Sequence, residues 1–162
     1  MSLDSRAFRD ALGQFATGVA VVTARSPEGE TVGLTINSFA SVSLDPPLVL
    51  WSLDRSSDRF QVFMHAGHFA VNILSDESLP LSQRLSRKGE RHLRDEPLLS
   101  SAHDLPLLGC ALAHFECRVE ARHEGGDHVI FVGRVLSIRH NARGNPLLYY
   151  RGRYRTLADG EG

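Results

Sequence analysis

Val32-Gly33-Leu34-Thr35-Ile36-Asn37-Ser38-Phe39-Ala40-Ser41-Val42-Ser43-Leu44 alternates with a period of two. Val32, Leu34, Ile36, Ala40, Val42 and Leu44 share one side with Ser38, while Thr35, Asn37, Phe39, Ser41 and Ser43 share the other. Successive side chains of a strand point to opposite faces. The stretch therefore reads as one long strand, with an apolar row facing a core and a row of hydroxyl and amide groups around one aromatic ring. The same period returns downstream. Ala111, Ala113, Phe115, Cys117, Val119 and Ala121 are expected to face inward, and His114, Glu116, Arg118, Glu120 and Arg122 outward. Glu124-Gly125-Gly126-Asp127 makes a turn, and residues 128–140 run back as an equally long strand.

Shorter β-branched or apolar runs at residues 19–23, 48–53, 68–74 and 147–150 bring the total to roughly six or seven strands in antiparallel succession. Long antiparallel strands in a chain of 162 residues lose their edges by closing into a barrel. Three short helices interrupt them. Residues 5–16 carry Phe8, Ala11, Leu12 and Phe15 on one face with Asp4 or Ser5 as cap; residues 58–66 end at Gly67; residues 79–85 form the third. Residues 87–109, rich in charge and holding Pro97 and Pro106, read as a long surface connection. The expectation is a mainly β, antiparallel, single domain over residues 1–162, its core spanning roughly residues 8–157.

Composition narrows the function classes. Eighteen basic against nineteen acidic side chains leave a net charge of −1, which points away from nucleic acid. No apolar run approaches the ~20 residues needed to span a bilayer, so no membrane partner is expected. Residues 1–6 lack the apolar core of a secretion signal, and the expected compartment is the cytoplasm. Cys110 and Cys117 read as buried thiols on one strand, unable to pair with each other. The eight histidines are scattered without carboxylate or thiolate partners at ligand spacing, so no metal is expected. Phosphate-loop, dinucleotide-loop, zinc-protease and nucleophile-elbow motifs are absent from the chain.

What remains is a hydroxyl-rich set: Thr35, Asn37, Ser38, Ser41, Ser52, Ser56 and Ser57. Small donors beside main-chain N–H groups suit a phosphate or a polar heterocycle, and Ser57 stands before a helix N-terminus whose dipole favours an anion. Residue chemistry alone equally allows these groups to cap turns and decorate a solvated face. Trp51, Phe69 and Tyr149 are expected to pack the barrel rather than stack on a ligand.

The order of the pieces carries further. Gly18-Val19-Ala20-Val21-Val22-Thr23, the stretch from Gly33 through Leu44-Asp45-Pro46-Pro47, and Phe69-Ala70-Val71-Asn72-Ile73-Leu74 resemble the flavin-reductase-like family. So do Gly126-Asp127-His128 with Ile130-Phe131-Val132-Gly133-Arg134-Val135, and Pro146-Leu147-Leu148-Tyr149-Tyr150 with Gly152 and Tyr154. The resemblance implies an FMN-binding split β-barrel that forms a homodimer and transfers hydride from NADH or NADPH to FMN or FAD. It also implies a separate flavin-dependent monooxygenase, served by reduced flavin that diffuses away. By the same resemblance Thr35, Ile36, Asn37 and Ser38 would hold the ring edge of the flavin. Ala40, Ser41, Ser52, Leu53, Arg55, Ser56 and Ser57 would line its ribityl and phosphate end, with Arg55 or Arg59 as the neutralising cation. Leu85 and Ser86 would close over it. Gly126, His128, Arg151 and Tyr154 would form the nicotinamide side, with His128 orienting the ring. Two other functions fit the same shelf: a split-barrel flavoprotein with tightly bound FMN acting on another small molecule, and a non-catalytic flavin-binding protein.

Overall fold

The computed structural model describes residues 2–141 and 143–158. Met1, Ala142 and residues 159–162, included above in the domain and in the turn before residue 147, lie outside the described residues. In chain order the elements are α1 (Ser5–Leu12), β1 (Thr17–Gly18), β2 (Ala20–Arg25), β3 (Thr31–Ile36), β4 (Ala40–Leu44), β5 (Pro47–Asp54), α2 (Phe60–His65) and β6 (His68–Leu74). A 3₁₀ turn, Asp76–Ser78, leads to α3 (Leu79–Leu85), β7 (Leu98–Leu99), β8 (Leu107–Leu108), β9 (Ala111–Gly125), β10 (His128–His140), β11 (Leu148–Tyr150) and β12 (Arg153–Arg155).

Seven strands make one antiparallel sheet in the order β3-β2-β6-β9-β10-β5-β4. Its two edge strands, β3 and β4, are consecutive in sequence and joined by Asn37-Ser38-Phe39. The alternation over residues 32–44 therefore covers two strands, not one. The period survives the break, but the partner changes: β3 pairs with β2 and β4 with β5. Burial changes with it. Val32 and Ile36 are buried, whereas Val42 is exposed and Leu44 is 95% exposed, against the expectation that the even row faces mostly toward a core.

One face of the sheet curls around a core in which Val32 and Ile36 of β3 meet Val49, Trp51 and Leu53 of β5, giving the split barrel. Helix α2 plugs it with Val62 and Phe63. Trp51 stacks on Phe131 at 4.7 Å and meets Phe63 and Phe69 edge-on, so Trp51 and Phe69 are packing residues. A bulge follows Val132, where a Cβ on Gly133 would run into the Phe69 ring and lie 3.0 Å from Cys117 Cβ. Burial pushes the Cys117 thiol up to about 12, with the charge on Glu116 adding to the effect. Cys110 precedes β9 and is exposed, which corrects the reading of two buried thiols on one strand.

The outer face carries a second core of Val19, Val21, Leu74, Leu85, Leu93, Leu108 and Leu147. Residues 87–109 thus are not merely a surface connection: Leu93, Leu107 and Leu108 are fully buried, and β7 and β8 form a small hairpin. Their docking also inverts part of the β9 expectation. His114 donates to the Leu108 carbonyl at 2.6 Å, and Glu116 accepts hydrogen bonds from Ser101 and His103, so both are buried. Helix α1 ends at Leu12, four residues before the expected end, capped by Asp4 accepting from the Arg6 N–H. None of its residues is buried; Phe8, Leu12 and, beyond it, Phe15 stand in the open.

Candidate functional site

The C-terminal end of β3 opens on a cavity of about 370 Å³. Thr35, Ile36 and Asn37 form one wall, Ser86 at the end of α3 another, and Tyr149, Gly152 and Tyr154 of the C-terminal hairpin a third, with Val19 at the base. Strand β11 reaches this place because β1 pairs with it, Thr17 opposite Tyr149. The β11–β12 turn is tight: Arg151 and Gly152 both adopt positive φ, 50° and 73°, where Gly152 costs nothing and Arg151 is held by its own contacts. Its guanidinium bonds Gln14 Oε1 at 2.9 Å and 3.1 Å and covers the Tyr150 ring, and its N–H donates to the Gly13 carbonyl. Arg151 thereby ties the hairpin to the end of α1 and does not line the cavity.

The tyrosine rings meet edge-on, 5.4 Å apart. Tyr149 does pack against the outer core, as expected, but it also lines the cavity. A smaller recess of about 70 Å³, lined by Thr17, Gly18, Ala20, Phe39 and Ile73, shares Val19 and Asn37 with the first. Thr17 Oγ1 is buried there without a hydrogen-bond partner. The 370 Å³ cavity, with its aromatic corner, an amide and hydroxyls, and with the unsatisfied Thr17 oxygen in the adjoining recess, fits a planar polar heterocycle such as the isoalloxazine ring.

The remaining candidates separate from this cavity. Ser38 Oγ accepts from the Ser52 N–H at 3.0 Å, joining the β3–β4 connection to β5. Ala40 and Ser41 lie exposed on β4 opposite Leu50 and Val49. Leu53 and Leu85 are fully buried, Leu53 in the sheet opposite Val129 and Leu85 with its carbonyl bonded to Arg59, so neither is exposed to a ligand. Helix α2 begins at Phe60, two residues later than expected, because the Ser57 hydroxyl accepts from the Arg59 N–H in a turn ahead of it. Ser56 donates both its N–H and its hydroxyl to Asp54 at 2.8 Å, and these bonds hold the Asp54 carboxyl below its ordinary range.

Arg59 is not a free cation. It donates to the carbonyls of Gly33 (3.2 Å), Leu85 (3.1 Å) and Arg87 (2.8 Å) and pairs with Asp58 at 2.7 Å, with 2% of its side chain exposed. Leu85 and Arg87 bracket Ser86, so this guanidinium fixes one cavity wall, and it sits where the helix dipole of α3 is negative. Asp58 extends the clamp by accepting from the Gly89 N–H at 2.7 Å. Burial pushes the Asp58 carboxyl up, but Gly89 and Arg59 outweigh it and hold it low.

Arg55 lies at the far end of β5, against the β9–β10 hairpin. Its main-chain N–H donates to Asp127 O at 3.0 Å, its Nε to Gly126 O at 3.2 Å, and its guanidinium pairs with exposed Glu124. Gly126 adopts φ 70° in that hairpin turn, and His128 stands opposite Asp54. His128 Nδ1 donates to Asp127 Oδ1 at 2.7 Å, which leaves Nε2 as the ring atom available to a ligand. Among the described residues no group of three or more His, Cys, Asp and Glu is arranged to hold a metal ion. The sequence reading thus named Thr35, Ile36, Asn37, Ser86 and the Gly152–Tyr154 segment of the cavity but missed Val19 there and Thr17 in the adjoining recess. The pairing of β1 with β11 brings Thr17 and Val19 there, and no local pattern announces it.

Residues 12–158 match the family model described as the flavin reductase like domain. The chain is 50% identical over 151 residues to the FMN reductase (NADH) SmoA of Agrobacterium fabrum, covering 93% of this chain and 85% of that one. It is 37% identical to the flavin-dependent monooxygenase reductase subunit HsaB of Rhodococcus jostii, covering 94% and 78%. Among solved structures it resembles the Streptomyces globisporus NADH:FAD oxidoreductase SgcE6 in complex with NAD and FAD fragments. That match has a TM-score of 0.89 and 32% identity, and covers 98% of each chain.

Proposed function

The chain belongs to the flavin-reductase-like family of oxidoreductases, and on that premise we propose that it transfers hydride from NADH to FMN or FAD and releases reduced flavin to a separate monooxygenase. The observation that carries this reading is the cavity that gathers Thr35, Ile36 and Asn37 against Ser86 and the Tyr149–Tyr154 corner. When bound there, flavin supplies N5 as hydride acceptor for nicotinamide C4. The chain's own task is to hold two rings in contact at the right distance and orientation, which needs no acid or base.

In this reading Asn37 and the main chain at Ile36 meet the polar ring edge, and the tyrosine corner bounds the ring. Ser52, Ser56, Ser57 and Arg55 serve the ribityl and phosphate end, reached along the line from Ser38 to the end of β5. His128 offers Nε2 to the nicotinamide carboxamide from the neighbouring hairpin. A homodimer belongs to the same proposal. Leu3, Phe8, Leu12 and Phe15 around α1, and Val42 and Leu44 on β4, form apolar surface of a kind that single chains seldom leave uncovered. Sedimentation at twice 17.9 kDa is expected, and a monomer at micromolar concentration refutes the dimer. We place the protein in the cytoplasm, where unpaired cysteines stay reduced and NADH is supplied.

The deciding experiment is anaerobic mixing of the purified chain with NADH or NADPH and with FMN, FAD or riboflavin. Bleaching of added flavin at a rate proportional to enzyme supports the reading. Failure of both nicotinamides to reduce any flavin sinks it.

A further inference from the structure

Ser82 does not line the cavity, yet it bonds three residues that do. It is fully buried within α3. Its carbonyl oxygen accepts from the Thr35 hydroxyl at 2.7 Å and from the Ser86 N–H at 3.2 Å, and its hydroxyl lies 2.8 Å from the Tyr154 hydroxyl. The three partners come from β3, from the end of α3 and from β12. Within a helix, alanine is the better former, and a buried hydroxyl is unfavourable unless it is bonded. The Ser82 hydroxyl is satisfied by docking of the C-terminal hairpin. Tyr149 anchors that hairpin in the outer core, and the Ser82 bond fixes the far end of the Tyr154 ring.

We propose that Ser82 is a positioning residue for the ring-binding cavity, presetting its width by holding Tyr154 against α3 and Thr35 against the helix carbonyl. The inference rests on the flavin reading above. Ser82 acts through Tyr154 and Thr35 without touching the ligand. Because the Thr35 and Ser86 bonds go to its main chain, Ser82→Ala deletes the Tyr154 link alone.

The test measures FMN and FAD dissociation constants by quenching of flavin fluorescence, with KM, kcat and Tm, for wild type, Ser82→Ala, Tyr154→Phe and the double variant. Ser82→Ala is expected to raise the flavin Kd and KM roughly three- to tenfold. Its kcat and NADH KM stay near wild type, which a merely structural lesion would not achieve. The double variant binds no worse than the weaker single, because both substitutions break one bond. Ser82→Cys, which keeps the volume and weakens the donor, falls between, and it replaces Ser82→Ala if that variant fails to fold. A wild-type Kd in Ser82→Ala, or additive losses in the double variant, overturns the inference alone. A wild type that binds neither FMN nor FAD overturns the flavin reading and this inference with it.

Discussion

Arg55 and Arg59 stand four residues apart and meet opposite surroundings. Arg59 spends its donors on three carbonyls and a carboxylate of its own chain, and two of those carbonyls, of Leu85 and Arg87, flank Ser86 in the cavity wall. Arg55 lies at the surface, paired with Glu124, which is 84% exposed. In the proposed reading, one end of the site is lined within a single chain by the Ser86 wall and the Tyr149–Tyr154 corner. The other, around Arg55, Ser56 and His128, is an open shelf whose side chains bond mainly to their own neighbours. In that reading the contrast separates two tasks: shaping a ring pocket, which requires rigidity, and receiving charged or mobile ligand parts, which exposed side chains with exchangeable partners can do.

The contrast predicts its own order of sensitivity. Arg59→Met leaves the buried carbonyls of Gly33 and Leu85, the Arg87 carbonyl and Asp58 without their cation and should cost about 3 kcal/mol of stability. That corresponds to a fall in Tm of about 6–12 °C for a chain of this size. Thermal melts check this, and Arg59→Lys should not restore the loss, since one ammonium cannot span the same acceptors. An unaltered Tm in Arg59→Met would erase the distinction between the two ends. Next in size, His128→Ala is expected to raise the NADH KM roughly three- to tenfold while flavin Kd stays within about twofold. Stopped-flow reduction at varied NADH decides it, and an unchanged rate removes His128 from the nicotinamide side. The smallest effect belongs to Arg55→Ala. Stability should move by less than about 1 kcal/mol, as for exposed pairs generally. The KM for FMN should rise a few-fold while that for riboflavin, which has no phosphate, does not. Equal changes for FMN and riboflavin would mean that Arg55 does not meet the phosphate.

The elements legible in sequence were those whose pattern and partner coincide. Residues 68–74, 79–85 and 128–140 are a strand, a helix and a strand with the expected ends, because local periodicity and burial agree there. Residues 32–44 show the limit. Alternation runs unbroken through Asn37-Ser38-Phe39, while hydrogen-bonding partners switch from one edge of the sheet to the other, and a periodicity carries no information about partners. His114 and Glu116 fail for a related reason: their side faces out of the sheet, but residues 97–109 fold over it. The α1 face was read correctly as apolar, yet none of the described residues buries it. Within the site, the residues of the β3 end and Tyr154 were legible through the family resemblance. Arg59 was read as a phosphate ligand because three of its four internal partners, Gly33, Leu85 and Arg87, are distant in sequence.

Joining the two edge strands through three residues places the split in the barrel beside the ring pocket. Along most of the sheet, separating neighbouring strands would break a ladder of main-chain bonds. At the split, the described link from the β3–β4 connection to β5 is the single hydroxyl of Ser38 on the main chain of Ser52. Main-chain cohesion at that line therefore rests on one side chain where the rest of the sheet has a ladder, and the packed core of Val32, Ile36, Val49, Trp51 and Leu53 holds the two edges together.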